Sequence, residues 1–264
     1  MTFGLEEVIG LIVLVLLSLL SYKFGTTTVS GSFAGLVLGL SILLFGGWNW
    51  FFIFIAFFLV GSMATKFRLE EKVAKEVSEE KKGARNWKNA VSNGLPAALA
   101  AIAYTFNPIA SVFFSSSISS ALADTLATEI GVLSKRMPRL ITNPAKKVRV
   151  GYSGGLTIEG YIAAFLGALI ISLLSHLLGV LNCYKGFIAI TLAGLAGCTI
   201  DSLIGATIQA KFRCTACGKE VELVHHCGKM CEHIGGIKGF GNNSTNFFSN
   251  LIAGAIGLVI FYSL

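Results

Sequence analysis

An all-α polytopic membrane protein with about eight transmembrane helices, or seven, is the fold class that the sequence predicts, on three observations. Of the 264 residues 54% are hydrophobic and only 13% charged, too little polarity to coat a soluble domain. The apolar residues gather in eight runs, most of them near the length of a spanning helix. The 21 Lys and Arg, set against 14 Asp and Glu, fall almost entirely between those runs. A large soluble catalytic domain is excluded, and the net charge of +7 is explained by basic loops beside a membrane before any nucleic-acid partner is needed.

The first run, 9–20, follows Glu6 and Glu7 without a basic leader or a small-x-small cleavage site, so it reads as a retained helix rather than a removed signal. Runs 30–46 and 48–64 come next. The pattern is weakest at 91–106 and 108–123, where Asn93, Pro96, Asn107, Pro108 and the triplet Ser115-Ser116-Ser117 predict short, broken or tilted spans. Runs 157–178, 186–208 and 246–263 complete the set, and the chain 1–264 reads as one membrane domain with polar loops at 65–90, 135–156 and 209–245. Eight basic residues lie between Lys66 and Lys88, six between Lys135 and Arg149 and five between Lys211 and Lys238. Eight spans put these loops on one face with Lys23 and leave only Lys185 opposite. That asymmetry predicts a multi-pass protein of the cell membrane with cytoplasmic loops and both termini outside.

Carboxylates are scarce enough to be informative. Asp124, Glu129, Glu159 and Asp201 lie within or against apolar runs, where a carboxylate is costly unless paired, metal-bound or facing water. Asp124 and Asp201 occur in similar settings, Ala123-Asp124-Thr125-Leu126 and Ile200-Asp201-Ser202-Leu203, hinting at two related halves that face one another around a site, with helix-packing chemistry as the plain alternative. Asp124, Glu129 and Asp201 are candidate ligands for Mg2+, a cation that prefers oxygen and shares its shell with phosphates. Among the basic residues Lys66, Arg68, Arg85, Arg136, Arg139, Lys146, Lys147 and Arg149 are candidate phosphate contacts, with anionic lipid headgroups as the alternative partner. Lys72, Lys75, Lys81 and Lys82, interleaved with Glu70, Glu71, Glu76, Glu79 and Glu80, read instead as a solvated helix face.

Two further patterns suit a phosphorylated ligand. Gly151-Tyr152-Ser153-Gly154-Gly155-Leu156-Thr157 enters a helix, where exposed amides can cradle phosphate; it lacks the ending of a Walker A loop and also reads as a plain turn. Asn86, Asn89 and Asn93 form a polar stripe, and Asn242, Asn243 and Asn246 open the last helix; both sets can bind ligand groups or satisfy neighbouring backbone. In the third loop Cys214, Cys217, Cys227 and Cys231 have spacings compatible with a structural Zn2+, with His225, His226 or His233 able to replace one Cys. Four thiolates leave no open position for catalysis.

Taken in order, Gly61-Ser62-Met63-Ala64-Thr65-Lys66-Phe67, Asn89-Ala90-Val91-Ser92-Asn93-Gly94, Ala123 to Gly131 around Asp124 and Glu129, Pro138-Arg139-Leu140-Ile141-Thr142, Gly154-Gly155-Leu156-Thr157, Asp201-Ser202-Leu203-Ile204-Gly205-Ala206, Gln209, and Asn242-Asn243 with Asn246 resemble the integral membrane family once called domain of unknown function 92. The resemblance covers about residues 5 to 262. Its plant chloroplast members include phytyl-phosphate kinase, so the resemblance implies transfer of a phosphoryl group from CTP to a prenyl monophosphate of phytyl or geranylgeranyl type. It implies Asp124, Glu129 and Asp201 around Mg2+, Lys66, Arg139 and Lys147 on phosphate, and Asn89, Asn93, Gly154, Gly155, Ser202, Gln209, Asn242, Asn243 and Asn246 as ligand-orienting groups. Lacking chloroplast transit features, the chain is expected to come from an archaeon or bacterium. A CTP-dependent lipid cytidylyltransferase, a polyprenol kinase and a membrane transporter remain alternatives, and oligomeric state stays open.

Overall fold

The computed structural model describes residues 5–75 and 84–264. Lys81, Lys82, Glu76, Glu79 and Glu80 of the charged segment lie outside them. The described residues form eight helices: α1 (Leu5–Lys23), α2 (Val29–Lys66), α3 (Leu69–Ala74), α4 (Trp87–Tyr104), α5 (Ala110–Gly131), α6 (Ile158–Leu177), α7 (Tyr184–Thr207) and α8 (Asn242–Ser263). Short strands occupy the loops: β1 (Arg139–Leu140), β2 (Asn143–Lys147) and β3 (Gly155–Leu156) form one sheet in the order β2-β1-β3. In the Cys-rich loop β4 (Lys211–Arg213), β5 (Glu220–Val221) and β8 (Glu232–Gly235) pair as β5-β4-β8, and β6 (His225–His226) pairs with β7 (Lys229–Met230).

The expected count of about eight, or seven, spans is corrected: among the described residues only α2, α6, α7 and α8 are long and apolar enough to cross a membrane. Each shortfall has a reason. In α1 the apolar stretch, Val8–Lys23, is too short. Runs 30–46 and 48–64 stand as two helical limbs, but no loop separates them: they join directly within α2, which breaks at Gly47 with φ 78° and ψ −174°, a backbone that favours glycine. The limbs fold back on one another, so that Gly39 packs against Phe51 and Phe54 of the second limb. Helix α4 carries Lys88, Asn89, Asn93 and Pro96, and α5 carries six serines, Asp124 and Glu129. Neither is broken as expected.

Helix α5 is polar because protein surrounds it. It packs against α2, α4, α6, α7 and α8, and Ser115, Ser116, Ser117, Ser119 and Ser120 are wholly buried. A Cβ at Gly194 or Gly197 of α7, or at Gly257 of α8, would collide with Ser119, Ser120 or Ser116 respectively. Small faces thus meet small faces, which is how helices approach closely where lipid offers no hydrophobic drive to associate. The Ser119 hydroxyl donates to the Ile190 carbonyl at 3.1 Å and that of Ser117 to the Asn250 carbonyl at 3.0 Å.

Candidate functional site

A cavity of about 720 Å3 opens where the C-terminal halves of α5 and α7 meet the N-terminal turns of α4 and α8. All three basic loops reach it: Lys72, Arg85 and Lys88 from the first, Val150 to Thr157 from the second, and Gln209, Glu222 and Gly241 from the third. They therefore converge at one end of the helix cluster.

Asp124 and Asp201 both line this cavity. Asp201 is buried, and its Oδ2 accepts from the Ser249 hydroxyl at 2.9 Å. Asn246, with its amide nitrogen turned to donate, lies 3.2 Å from the same oxygen and 3.0 Å from the Asn242 carbonyl. Asp124 makes no hydrogen bond or ion pair among the described residues, so its carboxylate is uncommitted. The similar segments around the two aspartates thus lie on packed helices and present their acids to one space.

Glu129 also lines the cavity, but its Oε2 is 2.7 Å from Lys72 Nζ. Lys72 is only 3% exposed, and its ammonium also donates to the Ala64 carbonyl at 2.7 Å and the Thr65 carbonyl at 3.3 Å. The solvated-face reading of Lys72 is therefore wrong: those carbonyls end α2, where intrahelical donors run out, and Lys72 supplies the missing ones. Alternation of Lys and Glu hid this, because charge spacing along a six-residue helix does not show what covers it.

The asparagines bind one another across elements. Asn86 caps α4 by accepting from the Lys88 and Asn89 amides, and Asn89 Nδ2 donates to Asn243 Oδ1 at 3.2 Å. Asn93 Oδ1 accepts from Asn250 Nδ2 at 3.4 Å. Gln209, 1% exposed, accepts from the Thr245 hydroxyl at 3.2 Å and donates to Glu222 Oε2 at 2.7 Å. The first turns of α8 thereby tie α4 to α7. Its N-terminus has no side-chain cap among the described residues, and Gly241, Asn242 and Asn243 there line the cavity.

The glycine-rich turn rests on α7. Gly154 has φ +80°, and a Cβ there would strike Ala206 and the Ser202 carbonyl; one on Gly155 would press on the Tyr152 carbonyl and Val148. Ser153 hydrogen-bonds Glu222, an acid that sequence reading passed over although it stands alone in the apolar Val221–Val224 stretch. Burial raises the Glu222 carboxyl above its ordinary value, against the opposing pull of Ser153 and Gln209. Three other expected residues lie off the cavity wall. Lys66 donates to the Phe24 carbonyl, Arg139 donates to the Pro144 carbonyl at 2.7 Å, and Lys147 is exposed on β2. Arg85 does line the cavity, its guanidinium packed over the Phe57 ring and against Gly61.

In the third loop a cluster of three cysteines and one histidine could hold a metal ion: ligand atoms of Cys214, Cys217, His226 and Cys227 lie within 4.8 Å of one another. His226 takes the fourth place expected of Cys231, which packs inward with Ala210 and Phe212. The Cys217 amide, and then His226, draw the Cys214 thiol down to about 6. Cys227 is pushed up to about 11, chiefly by its hydrogen bond with Cys217.

Comparison with known proteins is decisive about kinship. Residues 12–254 match the integral membrane protein DUF92 family. The chain belongs to the DUF92 family. An uncharacterized membrane protein of Methanocaldococcus jannaschii is 30% identical over 97% of this chain and 94% of its own length. Protein PGR of Arabidopsis thaliana is 30% identical over 93% of the chain and 92% of its length. The chloroplastic protein VTE6 of the same plant is 26% identical over 70% and 57%. No solved structure matches. The DUF92 match and the long apolar helices make this a multi-pass membrane protein.

Proposed function

We propose that this DUF92 protein is a CTP-dependent prenyl phosphate kinase, moving the terminal phosphoryl group of CTP onto a phytyl- or geranylgeranyl-type monophosphate to give the prenyl diphosphate and CDP. The observation that carries the reading is Asp124 and Asp201 facing one 720 Å3 cavity beside a glycine-rich turn and two helix N-termini. Among the described residues the Asp124 oxygens and Asp201 Oδ1 have no partner, which suits a hard, oxygen-seeking cation. These two residues would hold Mg2+, which when bound neutralises charge on the nucleotide phosphates. Glu129 takes the part of positioning Lys72 rather than binding metal. Arg85 and Lys88 take the phosphate-facing role expected of Lys66, Arg139 and Lys147.

The amides of Gly154, Asn242 and Asn243 offer donors to phosphate oxygens, and the Asn89, Asn93, Asn243 and Asn246 network keeps those elements in register. The accepting phosphate monoester is largely dianionic near neutral pH, with a second pKa of about 6, so no dedicated base is required. The prenyl tail lies among the membrane helices with its phosphate at the cavity, on the cytoplasmic face by the basic-loop asymmetry.

The test is purified protein in detergent with Mg2+, a panel of prenyl monophosphates and four labelled nucleoside triphosphates, the products resolved by mass. Prenyl diphosphate with CDP is expected, and Asp124→Asn or Asp201→Asn should lower turnover by about 100-fold or more. A CDP-lipid with pyrophosphate would assign cytidylyl transfer instead. No turnover with any pair, or full activity in either variant, refutes the kinase site.

A further inference from the structure

We propose that Cys214, Cys217, His226 and Cys227 form a tetrahedral Zn2+ site, and that the bound ion holds the Cys-rich loop so that Glu222 anchors the glycine-rich turn of the cavity. The proposal does not depend on which reaction the cavity performs.

Three thiols and an imidazole gathered within 4.8 Å match the soft, four-ligand shell that structural zinc takes. His226 Nδ1 lies 3.5 Å from Cys217 Sγ and 3.2 Å from Cys227 Sγ, central among the thiols. Gly218 at φ +70° follows Cys217, and Gly228 at φ +71° follows Cys227, so a left-handed turn bends the chain around the same centre on each side. The loop has little else to fold on: its own core is Ala210, Phe212, Cys214 and Cys231 with Val221 against them. A core that small is ordinarily completed by a metal or disulfide.

Between the two ligand pairs the chain runs through β5 to Glu222. There the side chain enters the cavity wall, where one oxygen bonds the Ser153 hydroxyl and the other accepts from Gln209. Ser153 belongs to the turn whose glycines rest on α7, so Glu222 is a positioning residue that links the metal loop to the amides of that turn. Loss of the ion leaves the segment on its small core and removes this anchor.

Purified full-length protein in detergent is expected to carry about one zinc per chain by elemental analysis, as four protein ligands imply. Cys217→Ser and His226→Ala should lose it, while Cys231→Ser and His225→Ala keep it. Chelating the wild-type protein should speed amide exchange at residues 150–157 by about tenfold, the loss of one charge-assisted bond, and added Zn2+ should restore it. Glu222→Ala should give the same acceleration with zinc retained. Wild-type protein that takes up no supplied zinc overturns the site. Zinc kept by His226→Ala but lost from Cys231→Ser overturns the ligand set, and unchanged exchange after chelation or in Glu222→Ala overturns the coupling.

Discussion

Replacing Lys72 by Met isolates the contact that departs furthest from its sequence pattern. The ammonium serves three acceptors, Glu129 Oε2 and the Ala64 and Thr65 carbonyls, from a position 3% exposed. Hydrogen bonds to charged groups contribute roughly 1.5–3 kcal/mol each, and breaking a buried pair leaves the partner charge uncompensated at about 3–5 kcal/mol. The Glu129 side chain is 20% exposed, so water recovers part of that loss and about 3 kcal/mol is the working figure. At roughly 2–4 °C per kcal/mol for a chain of this size, Tm falls by about 6–12 °C. Thermal unfolding in detergent, followed by circular dichroism, measures the shift. Glu129→Gln combined with Lys72→Met should be less destabilising than the two single shifts added, by about 1–2 kcal/mol of coupling. A Lys72→Met protein within about 2 °C of wild type, or strict additivity in the double variant, would return Lys72 to the solvated face and refute the reasoning.

Two further outcomes follow from the cavity wall. Gly154→Ala must adopt φ +80° with its Cβ against Ala206 and the Ser202 carbonyl, so it should cost about 1–3 kcal/mol in thermal unfolding, whereas Gly235→Ala, with open space around it, should cost much less. For Glu222 the folded carboxyl titrates above its ordinary 4.5, so the folded state binds more protons than the unfolded one as pH rises past that value. Stability contributed by this group is therefore lost as pH rises through its folded pKa, and Glu222→Gln should flatten the loss in melts taken from pH 4.5 upward.

The acids were legible because hydrophobic surroundings make any carboxylate expensive. Asp124 and Asp201 could be picked out one at a time, and their similar neighbours already suggested that they face each other. The expected number of spans is too high because the apolar stretch of α1 is short and because α5 has a polar, serine-rich surface that protein rather than lipid covers. Cysteine spacing located the metal-ligand loop but not its fourth ligand, since His226 and Cys231 are separated by which side chain turns inward to Phe212. Glu222 was passed over because its partners, Ser153 and Gln209, are distant in the chain.

By itself the sequence determined that the chain lives in a membrane, that its basic loops belong together and that it is kin to DUF92, because composition, charge order and spaced motifs are properties of the linear chain. Only the tertiary structure decided which charges are free. It committed Glu129 to Lys72, left Asp124 without a partner among the described residues and put Glu222 under the glycine-rich turn. Pairing and burial arise between residues far apart in sequence, and those two quantities set what each charged group can do.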